Sequence, residues 1–186
     1  MIDTAQAERL VAARLSPRRL AHTHRVAAEA VSLARRFGVA EREAELAGLL
    51  HDYCRELPAG EILEAARRHH IPVGPVEARR PVGLLHGPVA AAELRGQVSP
   101  EVAQAIARHT VGCAGMSHLD RVLYLADFCE PGRAFPGVDD VRALAHESLE
   151  AAVAAAARVS LLDLITLGRG VVPAALALYN ETHAAD

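Results

Sequence analysis

A histidine and an aspartate stand side by side at the end of an apolar run. The run is Leu46-Ala47-Gly48-Leu49-Leu50, and His51-Asp52 follows it directly. Neutral imidazole and carboxylate are ligands that suit iron, manganese, zinc or magnesium. An aspartate at the end of a buried apolar helix is costly unless a cation or another partner compensates its charge. The pair therefore predicts the centre of a metal site.

Further residues of metal-binding types are spread along the chain: His22, His86, His109 and Asp127. A lone histidine such as His22 is, by roughly three to one, more often a satisfied core or surface residue than a ligand. Several such positions in one helical chain change that balance, because metal sites in helical bundles are built from facing helices. We therefore expect these side chains to converge on the His51-Asp52 pair.

Helices must position these residues, and caps and breakers divide the chain accordingly. Ser16-Pro17 opens a helix that Gly38 ends, and Ser99-Pro100 opens another. Residues 73–82 are predicted as a loop or a short helical turn, and residues 139–167 as one long or broken helix. The other predicted helices cover residues 4–15, 17–37, 41–53, 58–69, 84–94, 100–109 and 119–128, with a last one from residue 173. No strand-like alternation exceeds four residues, so we predict an all-α fold with one domain.

The composition narrows the classes of function. All 20 basic residues are arginine, which excludes a Schiff-base lysine and a phosphate-binding loop that ends in lysine. The net charge of -3 gives no sign of general nucleic-acid binding. Cys54, Cys113 and Cys129 lack the spacing of a metal site, which predicts reduced thiols in a cytoplasmic protein. No segment is apolar enough to predict a membrane span.

The order of the candidate ligands resembles that of the HD-domain phosphohydrolases: His22, then His51-Asp52, then Asp127. Longer blocks around them resemble the YqeK subfamily, the symmetrical dinucleoside-tetraphosphatases. The blocks are Arg19-Leu20-Ala21-His22-Thr23, His51-Asp52-Tyr53, Leu85-His86-Gly87-Pro88-Val89, Ala105-Ile106-Ala107-Arg108-His109-Thr110, the stretch from Leu125 to Arg133, and Pro136-Gly137-Val138. A bare His-Asp pair is weak evidence, whereas six blocks in the right order are specific.

The resemblance implies a fold, a reaction and a metal. The fold would be a single HD-type helical bundle over residues 1–186, with a motif core at about 19–138 and C-terminal helices 139–186 packing on it. The reaction would be symmetrical cleavage of diadenosine tetraphosphate into two ADP by metal-activated water. Iron, as one or two ions, would bind His22, His51, Asp52 and Asp127, with manganese, zinc or another divalent metal as alternatives. His86 and His109 would face the phosphates or hold a second metal.

The resemblance also implies residues that act on the substrate. We expect Asp52 to bind metal and orient the attacking water, while His109 and Arg133 hold phosphate oxygens. Arg55 stands where the family often has lysine, so it keeps the charge but changes the donor geometry. Either Tyr53 and Tyr124 stack on a base or they only pack, and Thr110 either donates to a phosphate or caps a turn. The predicted substrate-binding residues are Arg19, Tyr53, Arg55, His86, His109, Thr110, Tyr124 and Arg133.

Two other functions stay open. An HD nucleotidase acting on mononucleotides would release nucleoside and phosphate instead of two nucleoside diphosphates. A non-catalytic module that binds metal and nucleotide would keep the ligand residues without turnover. His86 and Arg133 favour an enzyme, since metal stabilisation alone needs neither. A homodimer is compatible with the sequence, and we expect no catalytic part for Asp163, which lies in an otherwise apolar helix.

Overall fold

The computed structural model describes residues 1–184, and within them the chain folds into eleven α-helices. The one β feature in this part of the chain is an isolated bridge between Arg95 and Val98. The all-α prediction is confirmed, and residues 185–186, the end of the predicted C-terminal segment, lie outside the described residues. The helices are α1 (Thr4–Ala12), α2 (Pro17–Phe37), α3 (Glu41–Leu50), α4 (Ala59–Arg68), α5 (Pro75–Arg79), α6 (Pro81–Glu93), α7 (Pro100–Arg108), α8 (His118–Cys129), α9 (Val138–Ala145), α10 (Leu149–Thr166) and α11 (Pro173–Thr182).

The longest helix, α2, has ends that follow from its sequence. The hydroxyl of Ser16 accepts a hydrogen bond from the amide of Arg19, and Pro17 occupies the first helical position. Gly38 ends the helix in the left-handed region, at a φ of 68°. These are the predicted bounds. The helix packs against α3 and α8, and its buried face therefore looks toward the elements that carry the other candidate ligands.

The third helix is shorter than predicted. We expected it to cover residues 41–53, but it ends at Leu50, and His51 and Asp52 lie in the turns that follow. Nδ1 of His51 donates to the carbonyl of Gly48 at 2.7 Å, and this is the carbonyl that a continuing helix would offer to the amide of Asp52. The next amides bond three residues back instead, so the pair is presented from a tight turn.

Two glycines allow the helices around the site to approach closely. A Cβ on Gly48 would lie 2.5 Å from Cα of Ala27, so α3 touches the backbone of α2 at this point. A Cβ on Gly87 would lie 2.7 Å from a backbone oxygen of α7 and 3.1 Å from the ring of His109. Both contacts lie within three residues of a candidate ligand, so they set the distance between the elements that carry these ligands.

The C-terminal helices pack on the rest of the bundle. Residues 139–167 form a broken pair, because the chain turns after α9 and the hydroxyl of Ser148 accepts from the amide of Ala151 to start α10. Both α9 and α10 contact α8, and α11 contacts α10. Buried apolar side chains from every helix except α5 form one core. The predicted limits of the domain and of its motif core stay predictions.

The helix that carries His86 begins earlier than predicted, and a short helix precedes it. Residues 75–79 form the short helix α5, and α6 begins at Pro81 instead of Leu84 because the proline fits a first-turn position. His86 consequently lies inside α6 and not near its start. Among the helices described, none is both long enough and apolar enough to cross a membrane.

Candidate metal centre

The four predicted metal ligands converge, although they come from three separate parts of the chain. Nε2 of His22 in α2 lies 3.1 Å from Oδ1 of Asp127 in α8 and 3.7 Å from Oδ2 of Asp52. Nε2 of His51 lies 3.4 Å from that Oδ2 and 4.0 Å from Oδ1 of Asp127. The ligand atoms of His22, His51 and Asp127 all lie within 4.8 Å of one another, so one ion could contact them together.

His86 and His109 extend this cluster beyond Asp52. Nε2 of His86 lies 3.2 Å from Oδ1 of Asp52 and 3.1 Å from Nε2 of His109. His51, Asp52 and His109 form a second group whose ligand atoms lie within 4.8 Å of one another. The two oxygens of Asp52 thus face different neighbours, one toward His22 and His51 and the other toward His86.

The four imidazoles are oriented by the same kind of contact. Nδ1 of His51, His86 and His109 each lies 2.7 to 2.8 Å from a backbone carbonyl oxygen. Nδ1 of His22 lies 3.1 Å from Oε1 of Glu130. Because these oxygens only accept, each Nδ1 carries a proton, so the neutral form of each ring has its lone pair on the Nε2 atom that faces the cluster.

This arrangement fits a metal ion. Nε2 of His22 and Nε2 of His51 are buried and have no hydrogen-bond partner. Lone pairs that face carboxylate oxygens and one another are unfavourable unless a proton or a cation lies between them. Imidazole nitrogens held from behind by carbonyl or carboxylate oxygens are also the usual support of metal ligands. The donor set therefore suits a divalent transition metal.

Burial and neighbouring charges set the protonation of the cluster. Burial alone would raise the pKa values of Asp52 and Asp127, but the adjacent histidines outweigh it and hold both pKa values well below their usual range. Burial lowers the pKa of His109 to about 3, and the neighbouring rings of His51 and His86 act in the same direction. Ionised carboxylates and a neutral imidazole are the forms that bind metals.

Three of the predicted substrate-binding arginines lie at this cluster. Nη1 of Arg19 donates to Oδ2 of Asp52 at 2.8 Å, and Arg133 donates to both the carboxylate and the backbone carbonyl of Asp127. Nε of Arg55 lies 3.9 Å from Oδ1 of Asp52, and its Nη1 donates to a backbone carbonyl of α6. Burial lowers the pKa of Arg55. Positive charge consequently surrounds the two carboxylates.

The other predicted contact residues differ in where they lie. Oγ1 of Thr110 lies 3.1 Å from Nε2 of His109. Tyr124 is buried, and burial raises its pKa to about 12. Tyr53 lies under the guanidinium of Arg14, 4.2 Å from the ring centroid. An opening of about 120 Å³ above the cluster is lined by His109, Thr110, Tyr124, Asp127, Phe128, Arg133, Phe135 and Ser160. The structure brings Thr110 and Tyr124, but not Tyr53, to this opening.

Sequence analysis missed the residues that hold His22 from behind. Glu130 is 1% exposed, and besides the contact with His22 it accepts from Nε of Arg25 at 2.6 Å and from the amide of Gly132 at 2.5 Å. Burial would raise the pKa of Glu130, but hydrogen bonds from Arg25, Gly132 and His22 lower it to about 2. An acidic residue between a helix end and a Pro-Gly turn was the available signal in the sequence.

Arg142 in α9 holds the same turn and was also missed. Its guanidinium donates to three backbone carbonyls, those of Cys129 at 2.9 Å, Glu130 at 3.3 Å and Arg133 at 3.1 Å. No helical amides follow that could bond to these carbonyls, because the chain leaves α8 through Pro131 and Gly132. Arg142 therefore fixes the path of the chain between Asp127 and Arg133.

Comparison with known proteins agrees with this site. The HD domain family model matches residues 19–132. A Bacillus subtilis (strain 168) protein named symmetrical bis(5'-nucleosyl)-tetraphosphatase is 35% identical over 169 residues, which cover 89% of this chain and 90% of that protein. A Staphylococcus aureus (strain NCTC 8325 / PS 47) protein of the same name is 34% identical over 186 residues, covering 97% of this chain and 91% of that one.

A solved structure gives the same relationship at the level of the fold. The crystal structure of a predicted HD superfamily hydrolase involved in NAD metabolism from Clostridium acetobutylicum superposes with a TM-score of 0.93. The two sequences are 28% identical, and the match covers 100% of each chain. Sequence, fold and the converging His and Asp side chains agree, and this chain belongs to the HD-domain family.

Proposed function

We propose that this protein hydrolyses dinucleoside tetraphosphates symmetrically and releases two ADP from diadenosine tetraphosphate. The observation that carries the proposal is the cluster of four imidazole Nε2 atoms and two ionised carboxylates in a chain that resembles named tetraphosphatases over most of its length. Buried, metal-type ligands beside arginines are what hydrolysis of a highly charged phosphate substrate needs.

His22, His51, Asp52 and Asp127 would hold a metal ion, which we propose to be iron. Manganese, zinc and other divalent ions use the same nitrogen and oxygen donors, so availability selects among them. The second oxygen of Asp52 and the neighbouring His86 and His109 would hold a second ion. When bound, such a cation acidifies water and offsets the charge of phosphoryl oxygens.

The role of His109 follows from its tautomer. Its Nδ1 donates a hydrogen bond to the carbonyl of Ile106 at 2.8 Å, so the neutral ring carries no proton on Nε2 to donate to a phosphate oxygen. Of the two roles expected for this residue, metal binding therefore agrees better with the contacts than phosphate binding. The hydroxyl of Thr110, beside that Nε2, can donate to a phosphate oxygen in its place.

The arginines would change partners when the substrate binds. Arg19 and Arg133 pair with Asp52 and Asp127, the carboxylates that a cation would neutralise. Once those carboxylates bind metal, the guanidiniums can turn to the oxygens of the polyphosphate, where planar donors match phosphate geometry. Asp52 would also accept a hydrogen bond from the attacking water and so orient it. Charge on the leaving nucleoside diphosphate would then be offset without a dedicated strong acid.

The test compares wild type with Asp52→Ala, with the exposed Asp140→Ala as a matched control. The metal content of each protein is measured, and the products from diadenosine tetraphosphate are separated by chromatography. We expect two ADP from wild type and from the control, loss of turnover after chelation, and at least about a 100-fold loss in Asp52→Ala. Full activity of Asp52→Ala would refute the proposal, and nucleoside plus phosphate as products would assign a nucleotidase. The cytoplasmic location and the homodimer stay predictions.

A further inference from the structure

A groove with aromatic walls runs from the opening of the metal centre along α10. We call it the aromatic groove. Its volume is about 620 Å³, which lies in the range of small-molecule sites. It is lined by Phe128, Phe135, Pro136, Val159, Ser160, Leu162, Asp163 and Thr166.

The aromatic groove is continuous with the metal centre. Phe128, Phe135 and Ser160 line both the groove and the opening above the cluster, whose other lining residues include Asp127 and Arg133. A ligand that places its phosphates at Arg133 must therefore send the attached group either into solvent or into this groove. The position suits the part of a nucleotide that follows its phosphates.

The walls of the groove offer a flat ring in a fixed position. Phe135 lies in a Pro/Gly loop and is 37% exposed, although exposure of a large apolar ring is unfavourable. Its ring meets that of Phe128 edge-to-face at 5.1 Å between centroids, and Phe128 stacks on Tyr124 at 6.5 Å. Three of the six Phe and Tyr residues of the chain are thus gathered here. A ring held by its neighbours is a prepared surface for stacking a base.

The polar groups of the groove favour a base over a phosphate. Asp163 is exposed, forms no salt bridge within residues 1–184, and no basic residue lines the groove. A free carboxylate repels phosphate but accepts hydrogen bonds from an amino group. Arginines at one end and an acid at the other give the combined site a polarity that matches a nucleotide, with its phosphates at the metal end.

We propose that the aromatic groove binds one nucleoside of the substrate, with the base against Phe135 and its amino group donating to Asp163. The inference rests on the proposed function, which places the phosphates of the substrate at the metal centre. It adds a binding site for the nucleoside attached to those phosphates. Asp163 is not expected to take part in catalysis, and the role proposed for it here is binding only.

The first test measures binding without turnover. The metal-loaded protein is titrated with ADP and with inorganic pyrophosphate, using wild type, Phe135→Ala, Phe135→Tyr and the control Ile165→Ala, which alters an exposed α10 residue outside the groove. We expect Phe135→Ala to weaken ADP binding about tenfold and to leave pyrophosphate binding and metal content unchanged. Phe135→Tyr and Ile165→Ala should match wild type.

Three results would overturn the assignment of Phe135. They are unchanged ADP binding, an equal loss for ADP and pyrophosphate, or a changed oligomeric state by size-exclusion chromatography with an unchanged ratio of the two affinities. The last result would assign the groove to contact with a second copy. Failure of the proposed function would show separately, as absence of ADP release from diadenosine tetraphosphate by wild type.

The second test addresses Asp163. Purine riboside 5'-diphosphate differs from ADP by lacking the amino group on the base. Wild type should bind ADP about three- to tenfold more tightly than this analogue, and Asp163→Ala should bind the two equally. Equal binding by wild type, or an undiminished preference in Asp163→Ala, would exclude the contact between the amino group and Asp163.

Discussion

Nδ1 of His22 lies 3.1 Å from Oε1 of Glu130, and this contact determines that the other ring nitrogen faces Asp127. Glu130→Gln keeps the shape of the side chain but removes the charge that fixes the tautomer of the imidazole. We expect it to lower metal affinity about 10- to 100-fold, because contacts behind metal ligands commonly have this effect. Titration of the metal-free protein with Fe²⁺ or Mn²⁺ measures the change.

The exposed Glu147→Gln is the matched control for that experiment, since it removes a carboxylate of the same type from the surface. It should bind metal as wild type does. Equal affinity of Glu130→Gln and wild type would show that the orientation of His22 does not depend on Glu130.

The same residue predicts how stability depends on pH. The pKa of Glu130 falls from 4.5 to about 2 on folding, so the unfolded chain takes up a proton before the folded one does. The resulting stabilisation is complete above about pH 4.5 and is lost as the pH falls toward 2. We expect the free energy of unfolding of the metal-free protein to fall more steeply across this window in wild type than in Glu130→Gln. Urea denaturation at several pH values tests this, and parallel curves would contradict it.

The close approach at Gly48 predicts a loss of stability on adding one methyl group. In Gly48→Ala the new Cβ would meet the backbone of Ala27 at 2.5 Å, which should destabilise the fold by about 1–3 kcal/mol. Gly60 in α4 is a matched control, since a Cβ there has nothing within 4 Å. Gly60→Ala should be neutral or stabilising by up to about 1 kcal/mol. Thermal or urea unfolding compares the two, and equal effects would rule out the crowding argument.

The cysteines differ in their access to reagents. Cys54 and Cys129 are buried, and burial raises the pKa of these thiols to about 11 and about 12, respectively. Cys113 is only partly buried. A disulfide reagent at pH 8 should therefore modify one thiol in the native protein and three after denaturation, because the thiolate is the reactive form. Native Cys113→Ser should show none, and rapid modification of two or more native thiols would contradict the burial of Cys54 and Cys129.

The sequence singled out the candidate ligands because their chemistry is unusual for their surroundings. His51 and Asp52 directly follow the apolar run of α3, and burying such polar residues needs a specific partner. Helix signals such as Ser16 with Pro17, and Gly38 at the other end, are local and therefore readable from neighbouring residues. The all-α fold and the bounds of α2 followed from such signals.

The features of the site that the sequence did not predict depend mostly on contacts between residues distant in the chain. Nothing in the neighbourhood of Glu130 shows that Arg25 and His22 will meet it, since these lie on a different helix. The early end of α3 depends on the ring of His51 taking a carbonyl of its own helix, which competes with the helical pattern. The sequence predicted no catalytic part for Asp163 and did not point to a binding role, because the groove beside it forms only when α10 packs near the loop at Phe135.

Arg142 and Ser160 lie beyond residue 132, where the match to the family model stops, yet one secures the turn that carries Glu130 and the other lines the opening of the centre beside Tyr124. The structural unit that supports this site is therefore longer than the region by which its family is recognised. Transplanting residues 19–132 alone onto another protein would carry the ligands without the scaffold that keeps them aligned.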